Sequence, residues 1–190
     1  MPELTPGPVL IIPGLGGSGP DHWQSRWQAR LTDARRVEQA DWGKPERAGW
    51  IARLDETVAR TNQPPILVAH SLSCALVACW AAAHARPVHA ALLVAPADIE
   101  SDAHTPPEAH VFRPLPMTRL PFPTIVAASR DDPYVTFVRA TAMATAWGAE
   151  LVDIGNAGHI NTASGYGEWP AGERLLRRLL QNAASRSATA

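Results

Sequence analysis

The chain alternates short apolar runs with longer stretches of helical spacing. Val9-Leu10-Ile11-Ile12 is an apolar run closed by Pro13-Gly14, which predicts a first buried strand. A glycine-rich turn over 14–19 follows, and then a helix opens near Pro20-Asp21-His22-Trp23, with Trp23, Trp27 and Leu31 on one face. A less regular run at 36–40 predicts the second strand. Pro45-Glu46 opens a helix to about Arg60, with Trp50, Ile51, Leu54 and Val58 facing one way. Ile66-Leu67-Val68 is a strand bounded by Pro64-Pro65, and the alanine-rich 75–83 run behind it is a buried helix. Further strands are predicted at 91–95, 124–128 and 151–154, with helices at 135–147 and 170–181.

One segment breaks this rhythm. Residues 98–123 hold Pro106, Pro107, Pro114, Pro116, Pro121 and Pro123 and read as a long surface excursion. Asp102, His104, Glu108 and His110 lie on it without the spacing of metal ligands, so a solvated loop is expected there, and no metal or cofactor. The alternation as a whole predicts a single α/β domain over 1–182. Its six-stranded, mostly parallel sheet takes the order 2-1-3-4-5-6 and is covered by helices on both faces. No repeat and no domain boundary is found. The small polar residues 183–190 are expected to fray as a tail.

Composition narrows the class. The hydrophobic fraction of 46% and charged fraction of 18% suit a globular protein. A net charge of −1 gives no field for nucleic acid or an anionic membrane. No apolar run is long enough to span a bilayer, and Met1-Pro2-Glu3 does not open a signal peptide. Of the two cysteines, Cys74 and Cys79 lie five apart on one helix and point about 140° from each other, so they are expected as free thiols of a cytoplasmic protein.

In a parallel sheet, ligands bind beyond the carboxyl ends of the strands. Three kinds of residue collect there in chain order. Ser71 stands at the strand-to-helix turn Ala69-His70-Ser71-Leu72-Ser73, a G-x-S-x-G pattern with both glycines replaced by small residues. Asp131-Asp132-Pro133 follows the fifth strand, and Gly158-His159 follows the sixth. A serine needs a base to become a nucleophile, and an imidazole needs a carboxylate to fix its tautomer. The order Ser, Asp, His is that of α/β-hydrolases. Asp132 is the expected acid, with Asp131 as its rival. The backbone N–H groups of Leu15 and Leu72 are the expected oxyanion donors. His22, Trp23 and His70 are candidate pocket residues, with packing as the alternative for each. The run Gly14-Leu15-Gly16-Gly17-Ser18-Gly19 also fits a dinucleotide fingerprint, but Pro20 directly after it places the helix outside the motif.

The 9–17 run, the turn around Ser71, Ser129-Arg130-Asp131-Asp132-Pro133-Tyr134-Val135 and Ala157-Gly158-His159-Ile160-Asn161 together resemble small lidless α/β-hydrolases of the YdeN / retinoblastoma-binding-protein-nine type. The resemblance covers nearly the whole chain. It implies a serine hydrolase with Ser71 as nucleophile, Asp132 as orienting acid and His159 as base, acting on a small-molecule ester or related acyl bond. It also leaves a second reading, a binding or scaffold protein whose triad is vestigial, although the sequence indicates no protein partner.

Overall fold

The computed structural model describes residues 7–187. Six strands form one sheet: β1 (Val9–Ile12), β2 (Ala34–Arg36), β3 (Ile66–His70), β4 (Ala90–Val94), β5 (Thr124–Ala128) and β6 (Glu150–Asp153). Their order is β2-β1-β3-β4-β5-β6 and every pairing is parallel, so the sheet is wholly rather than mostly parallel. The helices are α1 (Trp23–Arg30), α2 (Arg47–Ala59), α3 (Leu72–Ala83), α4 (Phe137–Trp147) and α5 (Pro170–Ser187).

Strand side chains alternate between the faces, and the sequence fills both. Leu10, Ile12, Leu67, Ala69, Leu93 and Val126 point into one core, closed by Trp50 and Leu54 of α2, Trp80 of α3 and Met143 and Trp147 of α4. Val9, Ile11, Val68, Leu92 and Ile125 point into the other, closed by Trp23 and Trp27 of α1 and by Trp169, Leu176 and Leu179 at α5. β1 and β4 are therefore apolar at every position, and β3 and β5 depart from this only at His70 and Thr124, as a sheet buried on two faces requires. Six of the seven tryptophans are packing groups by this arrangement, buried at 3% exposure or less.

Three expectations are corrected. The second strand is Ala34-Arg35-Arg36 rather than 36–40. It is an edge strand bonded to β1 alone, so its side chains need not be apolar and its pattern is faint. The 98–123 segment is not a surface excursion. Ile99, Ala109, Phe112, Leu115, Leu120 and Phe122 are buried in the α2–α3–α4 core, and a 3₁₀ helix spans Pro107–Phe112. Arg113 fastens it from within, donating to the Ile99 carbonyl and to Asp102. The last helix continues to Ser187, into the stretch read as a tail, while residues 188–190 lie outside the described residues. Among the described residues no helix is long and apolar enough to cross a membrane.

Candidate active site

The carboxyl ends of β1, β3, β5 and β6 carry the residues singled out by sequence. At the end of β3, Ser71 adopts φ 57° and ψ −125°, a conformation that L residues avoid. Such strain costs on the order of 1–3 kcal/mol and is tolerated where neighbours over-determine it. Here the constraint is visible on both sides. The Ser71 N–H donates to the Val94 carbonyl at 3.0 Å, and α3 begins at the next residue. The turn after β1 presses on the same point: a Cβ on Gly14 would lie 2.9 Å from the His70 carbonyl oxygen and from Ser71 Cβ. Glycine at 14 is therefore what lets the two turns meet.

Ser73 gives the other small position a specific role. Its hydroxyl donates to the Pro13 carbonyl at 2.5 Å, tying the first turn of α3 to the turn after β1. Ala69, the other replaced glycine, is fully buried in the sheet.

His159 lies in the turn after β6 with its Nε2 2.8 Å from Ser71 Oγ. Its Nδ1 is 2.9 Å from each carboxylate oxygen of Asp132, whose side chain is wholly buried. A carboxylate only accepts, so the proton sits on Nδ1 and leaves Nε2 free to accept from the serine. The Asp132 Oδ1 also accepts the Tyr134 N–H at 2.9 Å, which fixes the carboxylate plane. Asp131 faces elsewhere. It accepts the Ser129 hydroxyl at 2.7 Å and the Gly158 N–H at 2.8 Å, and these bonds hold its carboxyl below the ordinary range. It clamps the β5 turn to the β6 turn and takes no part in the Ser71–His159–Asp132 chain.

Leu72 opens α3, so its N–H has no carbonyl one turn back to donate to. The Leu15 N–H has no partner among the described residues either, while Gly16 N–H and Gly17 N–H donate to Trp42 and Gly14. Both leucines border a cavity of about 200 Å³ that also reaches Ser71 and His159. Thr105, Pro106 and Ala109 of the 98–123 segment wall it on one side, and Ser18, His22 and Asn161 on another. No lysine, arginine, aspartate or glutamate lines it. A larger cavity, about 340 Å³, opens at the opposite ends of β5 and β6 beside Thr124 and Glu150, away from this chemistry.

The candidate pocket residues divide. His22 and His70 border the cavity. Trp23 does not. It is fully buried, and its indole N–H donates to the Ile160 carbonyl at 2.8 Å, so it braces the His159 turn from behind. His70 is also a brace: its Nε2 lies 2.9 Å from the His159 carbonyl, and burial holds its imidazole neutral, well below the usual histidine range. Sequence reasoning missed Gln24, Tyr134 and Asn161. Gln24 is fully buried and joins Ser18 Oγ to the Ile12 and Val68 carbonyls, fixing the β1 turn on the sheet. The Tyr134 ring lies 4.4 Å from that of His159. Its position two residues after Asp132, like that of Asn161 two after His159, was the available signal. Among the described residues no three histidine, cysteine or acidic side chains gather as metal ligands.

Comparison with known proteins identifies the fold and the family. A YdeN-like hydrolase from Pectobacterium atrosepticum is 30% identical, with a TM-score of 0.84 over 93% of this chain and 91% of that one. The ydeN gene product of B. subtilis shares the fold at 21% identity and a TM-score of 0.73, over 91% of this chain and 98% of that one. Est1E from Butyrivibrio proteoclasticus shares it more distantly, at 13% identity and a TM-score of 0.62, over 99% of this chain and 89% of that one. A search of curated proteins found no match. The serine hydrolase family model matches residues 9–178, and on that match and the YdeN-like relative the chain belongs to the serine hydrolase family, as a small α/β-hydrolase of the YdeN type.

Proposed function

We propose that the chain is a carboxylesterase-like hydrolase that cleaves small esters through an acyl-enzyme on Ser71. The observation that carries this is the unbroken hydrogen-bond chain Ser71 Oγ–His159 Nε2 and His159 Nδ1–Asp132, at 2.8 and 2.9 Å. In the first step Ser71 Oγ attacks the ester carbonyl and its proton passes to His159 Nε2. Asp132 stabilises the imidazolium without taking the proton. The carbonyl oxygen, now an oxyanion, accepts from the Leu15 and Leu72 N–H groups. The tetrahedral adduct expels the alkoxide, which takes the proton from His159 and leaves as an alcohol. Water then gives a proton to His159, attacks the acyl carbon, and the second collapse returns the proton to Ser71 and releases the acid.

The volume and lining of the cavity support short, uncharged acyl groups, since no side chain there would neutralise a carboxylate or phosphate. Cys74 and Cys79, buried and unpaired, suit a reducing compartment such as the cytoplasm. No cofactor is needed for this chemistry.

Labelling with a fluorophosphonate probe tests the reading. Wild type is expected to label at neutral pH and to hydrolyse p-nitrophenyl esters of short acids faster than those of long ones. Ser71→Ala is expected to lose both activities while keeping its melting temperature. Wild-type protein that fails to label would overturn the proposal in favour of a binding role on this fold.

A further inference from the structure

His22 caps α1: its Nδ1 accepts the Gln24 N–H at 3.2 Å. A ring nitrogen that accepts carries no proton, so in the neutral ring the proton sits on Nε2. The ring is neutral at ordinary pH. Burial, the neighbouring His159 and the Arg36 guanidinium together lower its pKa to about 4. Nε2–H is therefore a fixed, uncharged donor.

That donor has no partner among the described residues. The described buried side-chain nitrogens and oxygens that are both sealed off and unpaired are Trp27 Nε1 and Gln39 Oε1. His22 Nε2 is not one of them, so it is not sealed off, and the residue that carries it borders the cavity. No neighbouring acceptor takes it. His70, whose ring centre lies 4.9 Å away, keeps a lone pair on Nδ1, and Ser18 Oγ keeps its own while donating to Gln24 Oε1 at 2.6 Å, but neither is hydrogen-bonded to His22 Nε2. Asn161 Oδ1 accepts from Ser164. A polar group left facing a bound apolar surface would be stripped of water without compensation.

We propose that His22 Nε2–H is a substrate-binding donor, and that the preferred substrates are esters bearing a second, uncharged oxygen acceptor, such as an ether, hydroxyl or ketone. This rests on the reading of Ser71 as an esterase nucleophile. The absence of any cation from the cavity lining sets the acceptor as uncharged. Discrimination arises because the apolar analogue leaves Nε2–H unpaired, which the ether analogue does not.

Two matched ester pairs test this. p-Nitrophenyl butyrate against p-nitrophenyl methoxyacetate places an ether oxygen in the acyl part. Butyl acetate against 2-methoxyethyl acetate places it in the alcohol part. Each kcat/KM is divided by the rate of hydroxide hydrolysis, so intrinsic reactivity cancels. For one pair, wild type is expected to favour the ether member about tenfold, the value of one net hydrogen bond. His22→Ser keeps a helix-capping oxygen for Gln24 and removes the donor. Whatever its absolute rate, its preference is expected to collapse to within about twofold. No preference in either pair, or the same preference in the variant, would overturn the proposal. Imidazole ¹⁵N NMR at pH 7 gives a second readout that needs no turnover. A neutral His22 protonated on Nε2 is expected, and a proton on Nδ1 would overturn the inference. Fluorophosphonate labelling of the same preparations separates the two ideas. Labelled protein without His22-dependent preference sinks only the subsite, and unlabelled protein sinks the nucleophile.

Discussion

His70 Nε2–H donates to the main-chain carbonyl of His159 at 2.9 Å, and the two rings pack 4.8 Å apart. The residue directly before the candidate nucleophile thus holds the candidate base by its backbone. The end of β3 fixes both members of the Ser71–His159 hydrogen bond, one through Ser71 itself and one through His70. His70→Gln keeps an N–H of similar reach, whereas His70→Leu leaves a buried carbonyl unpaired. We expect His70→Leu to lower kcat about tenfold or more, the equivalent of ~1–3 kcal/mol, with KM little changed. His70→Gln should recover most of that loss. Equal defects in the two variants would show that the bond itself does not position His159.

The two aspartates of the β5 turn should separate in the same way. Asp132→Asn keeps the shape of the side chain but removes the charge that sets the His159 tautomer. A kcat loss on the order of 10⁴ is expected from the equivalent change in a serine protease triad. Asp131→Asn weakens the clamp to Ser129 and Gly158, so it should cost about 1–2 kcal/mol of stability and far less activity. Steady-state kinetics and urea unfolding on both variants decide the matter. A larger kcat loss for Asp131→Asn would reverse the assignment.

Much of the architecture was legible because β1, β3, β4 and β5 are buried on both faces, which forces unbroken apolar runs between proline and glycine stops. β2 was misplaced because an edge strand with half-exposed arginines carries no such demand. The 98–123 segment was misread for a different reason. Its prolines announce a loop, and its buried Phe112, Leu115, Leu120 and Phe122 have no period to announce a core. The same gap hid Thr105, Pro106 and Ala109 from the site, since a loop residue's neighbours depend on how the loop folds back. Ser71, Asp132 and His159 could be picked out because strand ends in a parallel sheet share one edge. Sequence favoured Asp132 but kept Asp131 as a rival, because side-chain direction is what distinguishes two adjacent aspartates.

Ser73 stands where the wider pattern has glycine, and its hydroxyl bond to the Pro13 carbonyl makes the departure useful. Restoring glycine would remove that bond and add backbone freedom at the start of α3. Ser73→Gly is expected to lose about 1–2 kcal/mol of stability and to lower kcat, because the turn that carries the Leu15 N–H is less firmly held. Ser73→Ala should show the loss of the bond without the added freedom. A Ser73→Gly variant more active than wild type, at equal stability, would mean that serine here restrains the elbow rather than supporting it.

Buried neutral histidines set the acid limit of the fold. In the native state His22 titrates near 4 and His70 well below its ordinary value, both chiefly through burial. In the unfolded chain both titrate near 6.5. Between those values the unfolded state binds protons that the native state refuses, so stability falls as pH falls. The loss starts near pH 6.5 and continues to about pH 4 for His22 and lower for His70. Each histidine contributes at most about 1.4 kcal/mol per pH unit. Asp131 does not blur this window, because its lowered carboxyl withdraws support only once pH drops below the ordinary carboxylate range. Urea unfolding at pH 7.5, 6.5 and 5.5 should therefore give a falling free energy, and His70→Gln should flatten the slope by about one proton. A wild-type profile that is level from pH 7.5 to 5.5 would mean that these rings can accept protons in place.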